Sequence, residues 1–202
     1  MKIGFKQLAK DLRERRYRFR QPLGAAFLLL LLVLAQPEWW GLIAGTSICV
    51  IGLFFRWWAA GHVKKSKALE TNGPYALVRH PQYLGNSLIA IGTVLASGVL
   101  WGIVVWAALF ALTYVDAIKR EDEKLRRRFT EEWDEWGNKT PAVLPVPWPN
   151  PDPGFHWNKW SIVQAVRNGE PLWLLAVGLV YLVLWSVPIA GYETVRQLVG
   201  SL

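Results

Sequence analysis

The chain has 202 residues, of which 52% are hydrophobic and 19% charged, with 13 tryptophans, one cysteine and a net charge of +8. That much apolar surface excludes an intrinsically disordered chain, which needs low hydrophobicity. The lone Cys49 excludes a disulfide framework and any cysteine-built zinc or iron–sulfur site. The basic excess crowds beside long apolar runs and not along one soluble face, which points to a membrane and away from nucleic acid.

The first 21 residues read as a basic amphipathic arm, with Arg13, Arg15, Arg16, Arg18 and Arg20 interleaved among Leu12, Tyr17 and Phe19. A signal peptide is disfavoured, because Gln36-Pro37-Glu38-Trp39-Trp40 is not a small-residue cleavage site. Five apolar segments follow: 22–37, 39–55, 83–100, 101–118 and 172–190. A bilayer core of ~30 Å needs about twenty helical residues, so the first segment is short and would have to thin the bilayer or borrow neighbours. Of 23 Lys and Arg, residues 1–21 hold eight, 56–82 five and 119–171 nine. With five spans these three segments share one side, and the positive-inside rule makes that side cytoplasmic and the C-terminus external. Trp39, Trp40, Trp57, Trp58, Trp101 and Trp173 fall at span ends, as an aromatic belt requires.

Three polar segments on that side hold the candidate chemistry. Residues 60–82 form a loop, 119–139 a charged helix, and 141–153, with six of the twelve prolines, a stiff strap. Residues 155–167 are expected to lie as an interfacial helix, with Trp160, Val163 and Val166 on one face. No dinucleotide or P-loop fingerprint is present, and His62, His80 and His156 lack metal-ligand spacing.

The densest element is Gly73-Pro74-Tyr75-Ala76-Leu77-Val78-Arg79-His80-Pro81-Gln82-Tyr83-Leu84-Gly85-Asn86. Gly73-Pro74 forces a turn, and Pro81 suits the first turn of the third span. Arg79 and His80 then sit at a helix N-terminus, which favours an anion. The competing reading has Arg79 snorkelling to headgroups. On the charged helix, Leu125, Phe129, Trp133 and Trp136 form a stripe, and Glu121 lies one turn before Leu125 on it. Glu121 is either an inward functional acid or a helix-start salt-bridge partner.

The run Leu69–Asn86 resembles the signature of the isoprenylcysteine carboxyl methyltransferase and phospholipid N-methyltransferase family of integral membrane enzymes. The second half is similar too, through Glu121-Asp122, Leu125, Phe129-Thr130, Trp133, Trp136 and the Leu144-Pro145 region. Thr130 stands for the usual glycine, Trp133 and Trp136 for tyrosines, and Asp122 for a second glutamate. The resemblance covers about residues 40–147. It implies S-adenosyl-L-methionine as methyl donor and a lipophilic acceptor entering from the bilayer. Lys67, Ala68, Leu69 and Glu70, then Tyr75, His80, Pro81, Gln82 and Tyr83, match its cofactor-contacting positions, and Glu121 falls on its acidic pair. Arg79 and His80 would suit the methionyl carboxylate, and Tyr75 or Tyr83 the adenine or sulfonium. Glu121 or His80 would take the proton of an ammonium acceptor.

The expectation is therefore an all-α integral membrane protein of the cell membrane. It has about five transmembrane helices and a cytoplasmic cofactor pocket built from the 60–82 loop and the 119–147 helix-plus-tail. The arm covers 1–21, the methyltransferase core 22–147, and the strap, interfacial helix and fifth span 148–202. The favoured acceptor is a phospholipid amine, with carboxyl O-methylation of an isoprenylcysteine-like acid as the alternative. A non-catalytic scaffold or lipid-binding module is the reading from another class. Neither a metal nor nucleic acid is expected as a partner.

Overall fold

The computed structural model describes residues 19–63, 68–145 and 160–190, and among these the regular elements are helices, with no strand. In chain order they are α1 (Arg20–Val33), α2 (Trp39–His62), a 3₁₀ turn (Gly73–Ala76) and α3 (Pro81–Ser97). α4 (Gly102–Leu109) runs through a π-helical turn (Phe110–Tyr114) into α5 (Val115–Arg128). Then come α6 (Thr130–Trp136), α7 (Ile162–Arg167) and α8 (Glu170–Ala190). The punctuation is local: Pro81 opens α3, and Gly98 closes it in the left-handed region at φ 74°, where a Cβ would be strained.

All five apolar segments are helical, but three are long and apolar enough to cross a membrane: Trp39–His62, Gly102–Arg128 and Glu170–Ile189. The 14 residues of α1 and the 17 of α3 rise about 21 and 25 Å at roughly 1.5 Å per residue, short of a ~30 Å core. The turn after α1 and the end of α3 meet at one level, where Gln36 N–H donates to the Ser97 carbonyl at 2.8 Å.

α3 is the centre of the bundle. One side joins Phe27, Leu31, Val99, Trp106 and Tyr114 through Ala90 and Val94. The other joins Leu42, Cys49, Val177, Tyr181 and Leu184 through Ile89 and Ala96. Lipid tails are as apolar as leucine, so burial alone does not drive such packing; close backbone approach and polar contacts do. Glycines supply the approach. A Cβ on Gly52 would lie 2.8 Å from the Gly85 carbonyl oxygen, and one on Gly92 2.6 Å from that of Gly45. Polar contacts then fasten α8, with Tyr181 donating to the Gly45 carbonyl and the Trp185 indole to Thr46, both at 3.1 Å.

Four expectations change. α2 runs to His62, beyond Phe55, because Arg56 finds partners inside the bundle and does not end the helix. Trp58 is buried there instead of joining the belt, whereas Trp39, Trp40 and Trp101 are exposed at helix ends. The charged helix is two helices, broken at Phe129 (φ −130°, ψ 57°). Within the described part of the expected interfacial helix, the helix is Ile162–Arg167, and its buried residue is Ala165, while Val163 and Val166 are exposed and Trp160 packs on Gly61. Residues 155–159 and the strap beyond 145 lie outside the described residues, as do the arm before Phe19 and Lys67.

Replacing Gly52 by Ala forces a methyl group against the α3 backbone. Overpacking of this kind costs about 1–3 kcal/mol, and detergent-denaturation curves of the variant should show that loss.

Candidate active site

The motif loop is pinned from both sides. Asn72 donates its N–H and its amide to Glu70 Oε1 at 3.1 and 3.2 Å, closing the turn into Gly73-Pro74. Gly73 has φ +59°, and a Cβ there would lie 2.7 Å from His62 Nε2, so only glycine fits over that ring. The Trp136 indole donates to the Tyr75 carbonyl at 3.2 Å. Backbone N–H groups of Arg79 and His80 donate to the carbonyls of Pro141 and Ala142 at 2.8 and 2.9 Å, a short ladder between the loop and the start of the proline segment.

α5 meets the loop through one carboxylate. Asp122 accepts from Arg79 Nη2 at 2.9 Å and from His80 Nε2 at 2.7 Å. Arg79 Nη1 donates to the carbonyls of Gly137 and Thr140 at 2.6 and 2.7 Å, and its guanidinium lies 5.6 Å from the Trp133 ring. Arg79 was expected to face an anion; its terminal nitrogens are instead committed to the protein, so it works as a strut. Next to Asp122 in sequence, Glu121 points in a different direction and accepts from the Tyr83 hydroxyl at 3.0 Å. His80 Nδ1 is 3.7 Å from Glu121 Oε2. The Tyr83 ring stacks on His80 at 5.4 Å and 16°, and meets Tyr114 edge-on at 5.3 Å.

Between loop and helix lies a cavity of about 870 Å³, at the upper end of the usual ligand-pocket range. Of the residues expected at a cofactor site, Ala68, Leu69, Glu70, Tyr75, His80, Tyr83 and Glu121 line it, and so does Arg79. Pro81 is buried as the first residue of α3, and neither it nor Gln82 forms the wall. Arg20, Arg120 and Lys124 add a basic rim, and Phe129 and Trp136 an aromatic one. The Tyr75 phenol is held above its ordinary pKa, first by burial and then by the Glu121 and Glu70 carboxylates, so it stays neutral. Among the described residues no group of three or more His, Cys, Asp or Glu could hold a metal ion.

Sequence reasoning missed Asp122 as the anchor, although it stands in the acidic pair. Adjacent helical residues are about 100° apart, so one member of the pair faces the cavity and the other the loop. It also missed Arg56, for which a lone arginine at the end of an apolar run was the available signal.

The two acids should separate by stability. Asp122→Asn removes a charge from two donors at a site only 19% exposed, where hydrogen bonds to charged groups are worth about 1.5–3 kcal/mol. Glu121 is 49% exposed, and Glu121→Gln should leave the denaturation midpoint almost unmoved.

The chain is 36% identical over 105 residues to the nickel-cobalt-cadmium resistance protein NccN of Alcaligenes xylosoxydans xylosoxydans. It is 37% identical over 103 residues to the cobalt-zinc-cadmium resistance protein CzcN of Cupriavidus metallidurans. Each match covers 50% of this chain and 46% of the relative, so the chain spans about half the length of the curated relatives it matches. No solved structure matches it. Residues 40–132 match the phospholipid methyltransferase family, the family that the Gly73–Asn86 motif resembles.

Proposed function

We propose that this protein transfers a methyl group from S-adenosyl-L-methionine to a lipophilic acceptor, favouring a phospholipid amine, at the cytoplasmic face of the cell membrane. The observation that carries the reading is the convergence of the motif loop and α5 on one cavity, within or beside the segment that matches the family. The donor set suits the cofactor. The Glu70 carboxylate suits ribose hydroxyls, the rim cations Arg120 and Lys124 suit a carboxylate, and Tyr75, Tyr83 and Trp136 offer rings to an adenine or a sulfonium. When bound, S-adenosylmethionine supplies an electrophilic methyl group.

The protein's own work is then alignment and proton handling. Walls that hold both reactants in line contribute several kcal/mol of the barrier. An ammonium acceptor must lose a proton before its nitrogen has a lone pair to offer. Glu121 is placed to take it: its carboxylate is on the cavity wall, and its exposure gives the proton a way to water. His80 holds Glu121 and Tyr83 in place through its stacked ring while Asp122 fixes its Nε2.

The test is tritiated methyl transfer from S-adenosylmethionine to phosphatidylethanolamine vesicles by the purified protein. A base-stable labelled lipid supports the reading. A base-labile product made from a prenylcysteine acid would replace the amine by a carboxylate acceptor, and absence of saturable cofactor binding would leave a scaffold. Glu121→Gln should lower the single-turnover rate about a hundred-fold while changing cofactor affinity far less.

The orientation is proposed from the Lys/Arg bias, with the five helices crossing and the basic segments inside. A cysteine placed at Lys139, in the exposed turn after α6, should react with an impermeant maleimide only after cells are lysed. The relatives' names supply a cellular setting, resistance to nickel, cobalt, zinc or cadmium. In that setting a deletion strain should grow poorly on those salts, and a Glu121→Gln allele should fail to restore it.

A further inference from the structure

A second polar system lies inside the bundle, away from the cavity wall. Arg56 on α2 is 5% exposed and Glu170, at the start of α8, is 2% exposed. Arg56 Nε donates to Glu170 Oε2 at 3.1 Å and Nη2 to Oε1 at 2.8 Å, the two-pronged geometry that fixes a guanidinium in its plane. Arg56 Cζ lies over the Trp173 ring, 4.4 Å from its centroid. The remaining Nη1 donates to Asn86 Oδ1 on α3.

That last bond has a directional consequence. Once the carbonyl oxygen of the Asn86 amide faces Arg56, its nitrogen must point the other way, and there Nδ2 reaches the Tyr114 hydroxyl at 3.4 Å. Tyr114 closes the π-helical turn Phe110–Tyr114, a feature that often marks functional positions. Its ring meets Tyr83 edge-on, and Tyr83 donates to Glu121. An unbroken series of contacts therefore runs from Glu170 to the carboxylate on the cavity wall.

We propose that Glu170 is a positioning residue for the cavity, acting through Arg56, Asn86 and Tyr114 on Tyr83 and Glu121. Burying two ions carries a desolvation penalty that packed apolar side chains would not. A pair retained at that cost, joined to an amide whose orientation it dictates, acts as a device for alignment. The idea that this alignment serves methyl transfer rests on the function proposed above; the contacts themselves do not. Glu170 lies outside residues 40–132, so α8 supplies to the site something the matched segment lacks.

The experiment places 3-fluorotyrosine at position 83 of the full-length protein in lipid nanodiscs and follows its ¹⁹F resonance and single-turnover methyl transfer to phosphatidylethanolamine. Glu170→Gln should shift the resonance and slow turnover at saturating cofactor at least ten-fold, with cofactor affinity nearly unchanged. Glu170→Asp keeps the charge but draws it back from Arg56, and it serves the same end should the first variant not fold. Asn86→Ala breaks the middle link with the ion pair intact and should shift the resonance too. Val177→Ala, in the buried face of the same helix, should lower stability without moving it. An unmoved resonance in a folded Glu170 or Asn86 variant, or an equal shift in Val177→Ala, overturns the proposal. The fluorine readout needs no activity, so a wild-type protein that transfers no methyl group would overturn the proposed function while this coupling is still tested.

Discussion

Asp122 accepts hydrogen bonds from Arg79 and His80 together, and the cavity depends on that double acceptance. It joins two stretches of chain 42 and 43 residues apart and fixes which way Arg79 lies. With Nη2 on Asp122, Nη1 falls on the carbonyls of Gly137 and Thr140, so one guanidinium ties the motif loop, α5 and the turn after α6. His80, held at Nε2, offers its face to Tyr83 and its Nδ1 edge to Glu121. Each oxygen of the Asp122 carboxylate takes one strong donor, which uses about half of its acceptor capacity inside the protein. Asp122 thus lies behind the cavity wall, whereas the Glu121 carboxylate lines it together with Glu70.

The rest of the bundle obeys a different constraint. Helices in lipid gain little from burying leucine against leucine, so α2 and α3 approach at Gly45 and Gly92 and at Gly52 and Gly85, where no side chain intervenes. α8 has no such glycine contact, and it is fastened by Tyr181, Trp185 and above all Glu170. Polar bonds thus do the fastening where shape does not. The same helix presents Leu172, Leu182 and Ile189 outward, as a lipid-facing surface requires.

What was legible in the sequence is what local rules control. Five apolar runs became helices, Pro81 opened α3, and Gly73-Pro74 made a turn. The motif loop and α5 could be seen as partners because each carried polar residues that an apolar neighbourhood does not explain. The break at Phe129 was not legible, because the Leu125–Trp136 stripe has good helical spacing throughout. The bend is made by contacts with distant residues, through the Trp136 indole on Tyr75 and the Trp133 ring beside Arg79. The length of α2 was misjudged for a related reason. An arginine ends an apolar run by composition, whereas Glu170, 114 positions away, lets it continue. Periodicity records what a residue repeats with along the chain, and both errors turn on what it meets across it.

These contacts bear on how far the family segment can stand alone. Residues 40–132 include the motif loop, Asp122 and Glu121. They do not include Gly137 and Thr140, which receive Arg79, or Pro141 and Ala142, which receive the backbone of Arg79 and His80. They also exclude Trp136 and Arg20 of the cavity wall, and Glu170. Cut back to that segment, the loop would lose its backbone partners, and Arg56 would lose both its carboxylate and the Trp173 ring that covers it. The chemistry-bearing side chains thus sit in the matched segment, while much of what holds them in register comes from either side of it.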